Sequence, residues 1–138
     1  MHKNRLFVLL LTVVVLALGA LSACTKDTPT DKLKGTEWVL IVLSDRLPLE
    51  GTTVSLAFKD GQAGGSAGCN SYSGAYHISG NEFVIDEIVS TLIACADEGV
   101  MQQEQFYLAQ LGKAESFSLE DGMLVLHLSD NSVLTFSK

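Results

Sequence analysis

The chain has 138 residues, with 9 basic and 16 acidic side chains and a formal net charge of −7 at pH 7. This length suits one domain with a modest core. The acidic balance argues against a nucleic-acid partner, because phosphate binding requires patches of Lys and Arg.

The N-terminus has the pattern of a secretory signal. A basic start, residues 1–5, precedes an apolar and uncharged run over residues 6–20. The run is shorter than the roughly 20 residues that a transmembrane helix needs. A cleaved signal peptide over residues 1–23 is therefore favoured over an N-terminal membrane anchor, which is the alternative.

The tetrapeptide Leu21-Ser22-Ala23-Cys24 resembles the lipobox of bacterial lipoproteins. The resemblance implies that Cys24 carries diacylglycerol, becomes the first mature residue and is acylated at its new N-terminus. Several acyl chains on one residue suffice for stable membrane attachment, whereas one is marginal. Thr25 follows, instead of the Asp that resembles an inner-membrane retention signal. We therefore expect a lipid-anchored envelope protein, on the outer membrane and facing the periplasm if the cell has two membranes.

Two cysteines remain once Cys24 is lipidated, Cys69 and Cys95. An even pair in an oxidising compartment favours a disulfide. Closing this loop would stabilise the fold by about 3–4 kcal/mol on the chain-entropy model. The alternative is two buried free thiols, since spacing alone does not prove that the sulfurs meet.

Past a polar tether at residues 24–32, a single domain is predicted over residues 33–138. Trp38–Leu43 is a near-continuous β-favouring run, typical of a strand buried on both faces or at a barrel closure. Asp60-Gly61 and Asp121-Gly122 are two-residue hairpin signals. Further strands are predicted over residues 53–59, 62–68, 72–78, 82–85 continuing through 88–93, 116–119, 123–128 and 133–136.

One helix is predicted over residues 98–111, capped by Asp97 or a neighbour and ended by Gly112-Lys113. Its apolar stripe comprises Val100, Met101, Tyr107, Leu108 and Leu111, and Gln102, Gln103 and Gln105 are expected to face water. Hairpins with a single helix predict an α+β fold: a strongly curved antiparallel sheet or partial barrel of about seven or eight strands with one packed helix.

The search for catalytic chemistry finds one literal match, the G-x-S-x-G pattern over residues 64–68 around Ser66. A nucleophile elbow also needs a strand-turn-helix context and a large parallel sheet, which this chain lacks. We predict no enzyme activity, no cofactor and no metal site, because the mature histidines, His77 and His127, match no ligand spacing. Tyr76 and His77 lie beside a turn, where a surface pair is favoured over the lining of a groove, and His127 is expected to be partly buried in its strand.

A polar cluster formed by Asn70, Ser71 and Tyr72, with Tyr76 nearby, is the candidate binding turn. Asn and Ser side chains bond to local backbone in turns, so a structural role is the leading interpretation. A binding role would require these side chains to point outward.

Three segments resemble the META-domain family: LKGTEW at residues 33–38, GCNSYSGAY at 68–76 and TLIAC at 91–95. Glu104 with Leu108 and Leu111 in the helix, and the closing apolar run over residues 124–136, complete the resemblance. The resemblance extends over residues 33–138. It implies a compact β-rich domain with one helix and a linked cysteine pair. Members resemble secreted or envelope lipoproteins associated with heat stress, motility or virulence, and the family offers no catalytic residues to transfer.

Three functional hypotheses follow. The leading one is a membrane-anchored, non-enzymatic envelope lipoprotein whose domain binds a protein or another envelope component. The second is a carrier in which the curved sheet encloses an apolar pocket for a lipid or acyl chain. The third is an inhibitor of an envelope-directed hydrolase that uses the GCNSY turn at residues 68–72 as a protruding loop.

Overall fold

Eight antiparallel strands close into a barrel in the computed structural model, which describes residues 32–138. Each strand pairs with the next along the chain, and the last strand pairs with the first. The strands are β1 (Glu37–Leu43), β2 (Ser55–Lys59), β3 (Gln62–Ser66), β4 (Ser71–Ser79), β5 (Glu82–Ser90), β6 (Ala114–Glu120), β7 (Met123–Leu128) and β8 (Val133–Ser137), and the helix α1 (Glu98–Leu111) connects β5 to β6.

The strands follow the two-residue alternation that the sequence predicts. In β7, Leu124, Leu126 and Leu128 point into the barrel and are buried, whereas His127 is exposed on the outer face. The expectation that His127 is partly buried is therefore wrong. Its strand forms part of a single-layer barrel wall, and within residues 32–138 no other element covers the outer face at this position.

The first strand alternates through Leu40, and a bulge before Val42 then shifts the register so that Leu43 is also buried. Trp38, Leu40 and Leu43 are buried, but Val39 between them is 42% exposed. Of the two interpretations that the apolar run allowed, burial on both faces is wrong and barrel closure is correct. The run contains β-branched residues on its outer face, which pack along the pleated surface even where water reaches them.

Two hairpins form at the predicted Asp-Gly signals. Asp60 and Gly61 have φ values of 51° and 79°, and Asp121 and Gly122 have φ values of 49° and 80°. A turn with two consecutive positive φ values matches the right-handed twist of the strands on either side. These hairpins therefore set the registers of β2 with β3 and of β6 with β7.

The barrel is closed, where the sequence predicted a curved sheet or partial barrel. Closure comes from β1 and β8, with Val39 opposite Ser137 and Leu40 opposite Phe136. No local pattern encodes this pairing, since it joins the two ends of the domain. The pairing between β5 and β6 is the shortest in the barrel, with Glu82 opposite Ser116 as its one paired position.

Aromatic side chains fill one half of the barrel interior. Phe58 contacts Tyr76 and Phe83 edge-on, with ring centroids 5.0 and 6.1 Å apart. Phe58 and Phe83 are 1% and 0% exposed. Edge-to-face pairs at these separations are favourable arrangements for aromatic rings. The interior is thus occupied by the chain's own side chains.

The barrel has two distinct ends. At the first, which we term the entry pole, the described chain begins: Leu33 is fully buried, and Gly35 N–H donates to the Phe58 carbonyl at 2.7 Å. The tight turns at residues 60–61, 80–81 and 121–122 lie at this pole. The second, the helix pole, consists of α1 and the loops at residues 44–54, 67–70, 91–97 and 129–132. Within residues 32–138, no helix has the length and apolarity to cross a membrane.

Candidate functional site

The helix pole is held by α1, whose bounds and cap agree with the sequence prediction. Asp97 is the N-cap, and its Oδ1 accepts a hydrogen bond from Gly99 N–H at 2.8 Å. At the other end, Gly112 N–H returns to the Leu108 carbonyl. These caps satisfy backbone groups that the helix itself leaves without partners.

The inner face of α1 is more polar than its apolar stripe suggests. Gln103 was expected in water, but it is buried beneath the loop between β1 and β2. Its Oε1 accepts from Leu49 N–H at 2.6 Å, and its Nε2 donates to Thr52 Oγ1 at 3.0 Å. The prediction for Gln103 is wrong because this loop folds over the helix, which periodicity does not reveal.

Glu104 is a buried carboxylate that organises the turn between β3 and β4. Its Oε2 accepts from Asn70 N–H at 2.6 Å and from Cys69 N–H at 3.3 Å. Its Oε1 accepts from Asn70 Nδ2 at 2.7 Å. A buried acceptor with three donors avoids much of the penalty of desolvation, and hydrogen bonds to a charged acceptor are among the stronger ones.

Asn70 passes this support on to the segment at residues 91–94, which we term the display loop. Asn70 Oδ1 accepts from Ile93 N–H at 2.7 Å and from Thr91 Oγ1 at 2.8 Å. Asn70 Nδ2 also donates to the Ile93 carbonyl at 3.1 Å. One buried amide thus holds both polar backbone groups of Ile93 and the side chain of Thr91.

The predicted disulfide between Cys69 and Cys95 is present, with a Cα–Cα separation of 6.3 Å. It fixes the end of the display loop to the turn that carries Asn70. The loop therefore has covalent and hydrogen-bonded support from behind. Its two largest side chains nevertheless project into water, Leu92 being 96% exposed and Ile93 60%.

A second link joins α1 to the barrel through two tyrosines. The Tyr72 hydroxyl donates to the Ser55 carbonyl at 2.8 Å, so Tyr107, whose hydroxyl lies 2.6 Å away, is the donor between the two phenols. Burial is the main reason that the pKa of Tyr72 and the pKa of Tyr107 both lie well above the ordinary value. Both phenols therefore stay neutral and hydrogen-bonded.

The outer face of α1 carries no charge between Gly99 and Leu111. The exposed positions there are Gln102, Gln105 and Ala109, and the one ionisable carboxylate, Glu104, is turned inward. A groove of about 230 Å³ runs along one side of the helix and another of about 270 Å³ along the opposite side. Exposed aliphatic side chains border both grooves: Leu47 and Leu49 on one side, Leu92 and Ile93 on the other.

The four residues of the candidate binding turn do not form an exposed surface. Asn70, Tyr72 and Tyr76 are 2%, 4% and 7% exposed, which leaves Ser71 as the exposed member. A binding role required outward-pointing side chains, and three of these four point inward. Their observed contacts are structural: Asn70 supports the display loop and Tyr72 joins the barrel to α1.

The G-x-S-x-G match lies in the β3 strand and the turn that follows it. Ser66 Oγ accepts from Gly68 N–H at 3.1 Å. The glycines serve close strand contact, since a Cβ at Gly64 would lie 2.5 Å from the Tyr72 carbonyl oxygen. This is a glycine-rich strand in a tightly wound barrel, with no strand-turn-helix elbow at Ser66.

Within residues 32–138, the histidines lie on the outer wall of the barrel. His77 is exposed, as expected, with Nε2 3.1 Å from Asp86 Oδ2. The expected surface pair is nevertheless wrong for Tyr76, because its ring points into the barrel and packs against Phe58. His127 Nε2 lies 3.2 Å from Ser118 Oγ, which donates to Glu120 Oε1 at 2.6 Å. In a hydrolytic triad the acid orients the histidine, whereas here it contacts the serine. Across residues 32–138, no group of three His, Cys, Asp or Glu side chains converges to hold a metal ion.

Sequence reasoning named Glu104 and the segment at residues 91–95 within the family resemblance, but it missed the supporting role of Glu104 and the exposure of the display loop. Glu104 was detectable as the lone acid on the helical face of Tyr107, Leu108 and Leu111, at spacings of three, four and seven residues. The display loop was hidden because its apolar letters resemble the end of a buried strand. The predicted lipid site at Cys24 lies outside the described residues and stays a prediction, as do the boundaries at residues 1–23 and 24–32.

Comparison with solved structures shows the same fold in two bacterial proteins. The NMR structure of a protein from Burkholderia xenovorans has 25% identity and a TM-score of 0.67, covering 86% of this chain and 94% of that one. A DUF4847-family protein from Bacteroides vulgatus, solved by crystallography, has 12% identity and a TM-score of 0.57, covering 78% and 94%. No curated protein matches the chain significantly.

The family model of the META domain matches residues 31–138, which include every strand and the helix described above. The resemblance seen in the segments at residues 33–38, 68–76 and 91–95 is therefore confirmed over the whole folded part, and the chain belongs to the META-domain family.

Proposed function

We propose that this chain is a lipid-anchored, non-enzymatic module of the cell envelope that binds a partner protein through its helix pole. The anchor is Cys24, on the lipobox resemblance, and the binding domain follows the tether at residues 24–32. The family supports the domain assignment, and the surface chemistry of the helix pole supports the mode of action.

One observation carries the proposal: between Gly99 and Leu111 the exposed face of α1 is free of charge, and projecting aliphatic side chains border it. The two acids of the helix are Glu98, at its first position, and Glu104, which is turned inward. Depletion of charge at the centre of a surface is the compositional mark of protein interfaces. Leu47 at 76% and Leu92 at 96% exposure add apolar surface on the two sides of this face.

The two poles give this surface a direction. The described chain begins at the entry pole, so the tether leaves the barrel at the end opposite α1. Residues 24–32 span at most about 30 Å when extended. An anchored domain with its entry pole toward the bilayer presents the helix pole away from that bilayer, which favours a protein partner.

The barrel interior does not favour the carrier hypothesis. Phe58, Phe83 and Phe136 are at most 1% exposed and occupy the space that an acyl chain would need. The grooves beside α1 are open to solvent and lined by both polar and apolar groups. The third hypothesis, an inhibitor, requires an exposed loop, and Ser71 is the one exposed residue of the GCNSY turn at residues 68–72.

Site-specific photo-crosslinking in intact cells tests the binding surface. A photoreactive residue at exposed Gln102 should give a discrete protein adduct, whereas the same residue at exposed Asp121 on the entry pole should not. The adduct should disappear when Leu92→Asp is added, because a charge on the apolar border opposes docking. An adduct that forms equally at both poles, or survives Leu92→Asp, would contradict the proposal.

Mass measurement of the membrane-extracted protein tests the anchor. The intact mass should correspond to a chain starting at Cys24 plus its acyl groups, and Cys24→Ser should release the protein from membranes. Alkylation before and after reduction should label Cys69 and Cys95 only after reduction. An acyl-free mature chain would refute the lipid anchor.

A further inference from the structure

We propose that the display loop is a substrate-like inhibitory loop for a serine endopeptidase, with Leu92 occupying the enzyme's primary specificity pocket. The inference rests on the proposed function, since it names the class of partner that the helix pole meets. It also moves the inhibitory segment from the GCNSY turn to residues 91–94, which that turn supports from behind.

Hydrogen bonds fix the display loop on both sides of Leu92. Thr91 N–H donates to the Ser71 carbonyl at 3.0 Å, and Thr91 Oγ1 donates to Asn70. Ile93 is held by Asn70 through both its N–H and its carbonyl. Leu92 lies between these two fixed residues and, in the described residues, makes no backbone hydrogen bond of its own. Its side chain and carbonyl are therefore presented outward by a backbone immobilised on both sides.

A peptidase cleft binds an extended segment of chain around one residue that fills a pocket. A flexible substrate loses backbone and side-chain conformational freedom when it enters this cleft, which weakens its binding. A loop that is already fixed avoids most of that cost. Pre-organised loops of this kind are typical of protease–inhibitor complexes, whose backbones move little on binding.

Cleavage within the display loop would be reversible. Attack by the enzyme's serine oxygen on the Leu92 carbonyl carbon forms an ester and breaks the Leu92–Ile93 amide, and the serine proton passes to the Ile93 nitrogen. Asn70 bonds to residues on both sides of this amide, and the Cys69–Cys95 disulfide closes a ring that contains it. The Ile93 amine therefore stays beside the ester, attacks it and restores the amide, returning the proton to the serine.

The exposed side chain of Leu92 and most of the residues beside it are apolar. Leu92 is a large aliphatic side chain, which suits an apolar specificity pocket rather than an acidic one. Ala94, Met101 and Leu108 border the adjoining groove, so the approach to Leu92 carries little charge. The enzyme class that fits is one that cleaves after large apolar residues.

A specificity-exchange experiment tests this directly, using the full-length protein in detergent with chymotrypsin and trypsin as probes. The unaltered protein should inhibit chymotrypsin, whose pocket is apolar, and should not inhibit trypsin, whose pocket ends in a carboxylate. Leu92→Arg should reverse this order, with chymotrypsin inhibition weakened by about 30-fold or more, as expected for a central anchor. Val84→Arg, at an exposed apolar position on the outer wall of the barrel in β5, is the matched control and should change neither inhibition constant.

Thr91→Val tests Thr91 as a positioning residue with little risk to the fold. It removes the hydrogen bond that Thr91 Oγ1 donates to Asn70 Oδ1 and the one it accepts from Ser71 N–H, while keeping the shape and the exposure of the side chain. Cleavage at Leu92–Ile93 should become about 10-fold faster, on the basis of two lost hydrogen bonds, of which the one to the exposed Ser71 N–H is replaced by water. If Thr91 has only a structural role, the cleavage rate should change no more than the lower stability of the variant accounts for.

Several results would overturn the inference. They are absence of chymotrypsin inhibition by the unaltered protein, failure of Leu92→Arg to inhibit trypsin, or inhibition of a metallopeptidase or cysteine peptidase instead. Self-association that Leu92→Arg abolishes without any inhibition would also overturn it, by assigning the loop to a second copy. Persistence of the Gln102 adduct in cells would then leave the binding module standing while the inhibitory role fell.

Discussion

The two poles of the barrel are stabilised by different physics. At the entry pole, Phe58, Tyr76 and Phe83 pack against one another in an apolar interior. At the helix pole, the buried groups include Asn70 and Glu104, held by hydrogen bonds. Apolar packing supplies free energy without demanding much direction, whereas a buried polar network fixes angles and distances at a cost in desolvation.

The difference explains why the exposed aliphatic side chains are at the helix pole. Leu92 and Ile93 are exposed, so burial of these side chains does not stabilise the display loop. Other contacts must therefore fix its conformation. Asn70 and Glu104 supply that shape. Apolar packing at the entry pole stabilises the fold. This offsets the desolvation cost of the buried polar network that fixes the surface of the helix pole. Four predictions probe this contrast, from the largest expected effect to the smallest.

Phe58→Ala should destabilise the fold most, by about 4 kcal/mol, because it removes a fully buried ring and leaves a cavity among Tyr76 and Phe83. Urea unfolding measures the change. Leu119→Ala, at a 39% exposed position on the barrel wall, is the control and should cost less than about 1 kcal/mol. Equal losses for the two variants would show that the entry pole does not carry the core.

Glu104→Ala should cost about 3 kcal/mol, since it leaves three donors from Cys69 and Asn70 without their acceptor. Hydrogen exchange at residues 91–94 should accelerate more than exchange in β7, which shares no contact with this network. Gln105→Ala, the exposed neighbour on α1, should leave stability within about 0.5 kcal/mol. Uniform acceleration across the barrel would contradict a local supporting role for Glu104.

Alkaline pH should weaken the link between α1 and the barrel. Burial raises the pKa of all three tyrosines, Tyr72, Tyr76 and Tyr107, above the ordinary value of 10.0. Their contribution is therefore complete below pH 10 and is lost as pH rises, because the unfolded chain ionises first. The increase in phenolate absorbance and the unfolding transition should occur over the same pH range.

The matched variant for that titration is Tyr107→Phe, which should cost about 1 kcal/mol at neutral pH and make stability less sensitive to alkali. A phenolate titration near pH 10 in the folded protein would show that these hydroxyls are not buried.

Leu92→Ser should have the smallest effect on stability, within about 0.5 kcal/mol, because the side chain is 96% exposed and contributes little burial. The same change should abolish the Gln102 adduct in cells. A marked loss of stability would mean that Leu92 packs within the domain and is not a presented anchor.

The sequence by itself determined the local structure. The positive-φ turns at Asp60-Gly61 and Asp121-Gly122, the Asp97 cap and the bounds of α1 follow from residues close together in the chain. The disulfide was also foreseeable, from the number of cysteines and the expected compartment.

Only the tertiary structure decided the rest. Closure between β1 and β8 joins distant segments and has no local signal. Alternation and helical periodicity distinguish two faces of an element without saying what covers each one. For that reason Gln103 proved buried, His127 proved exposed, and an apolar stretch suited to a core strand became a loop that holds Leu92 in water.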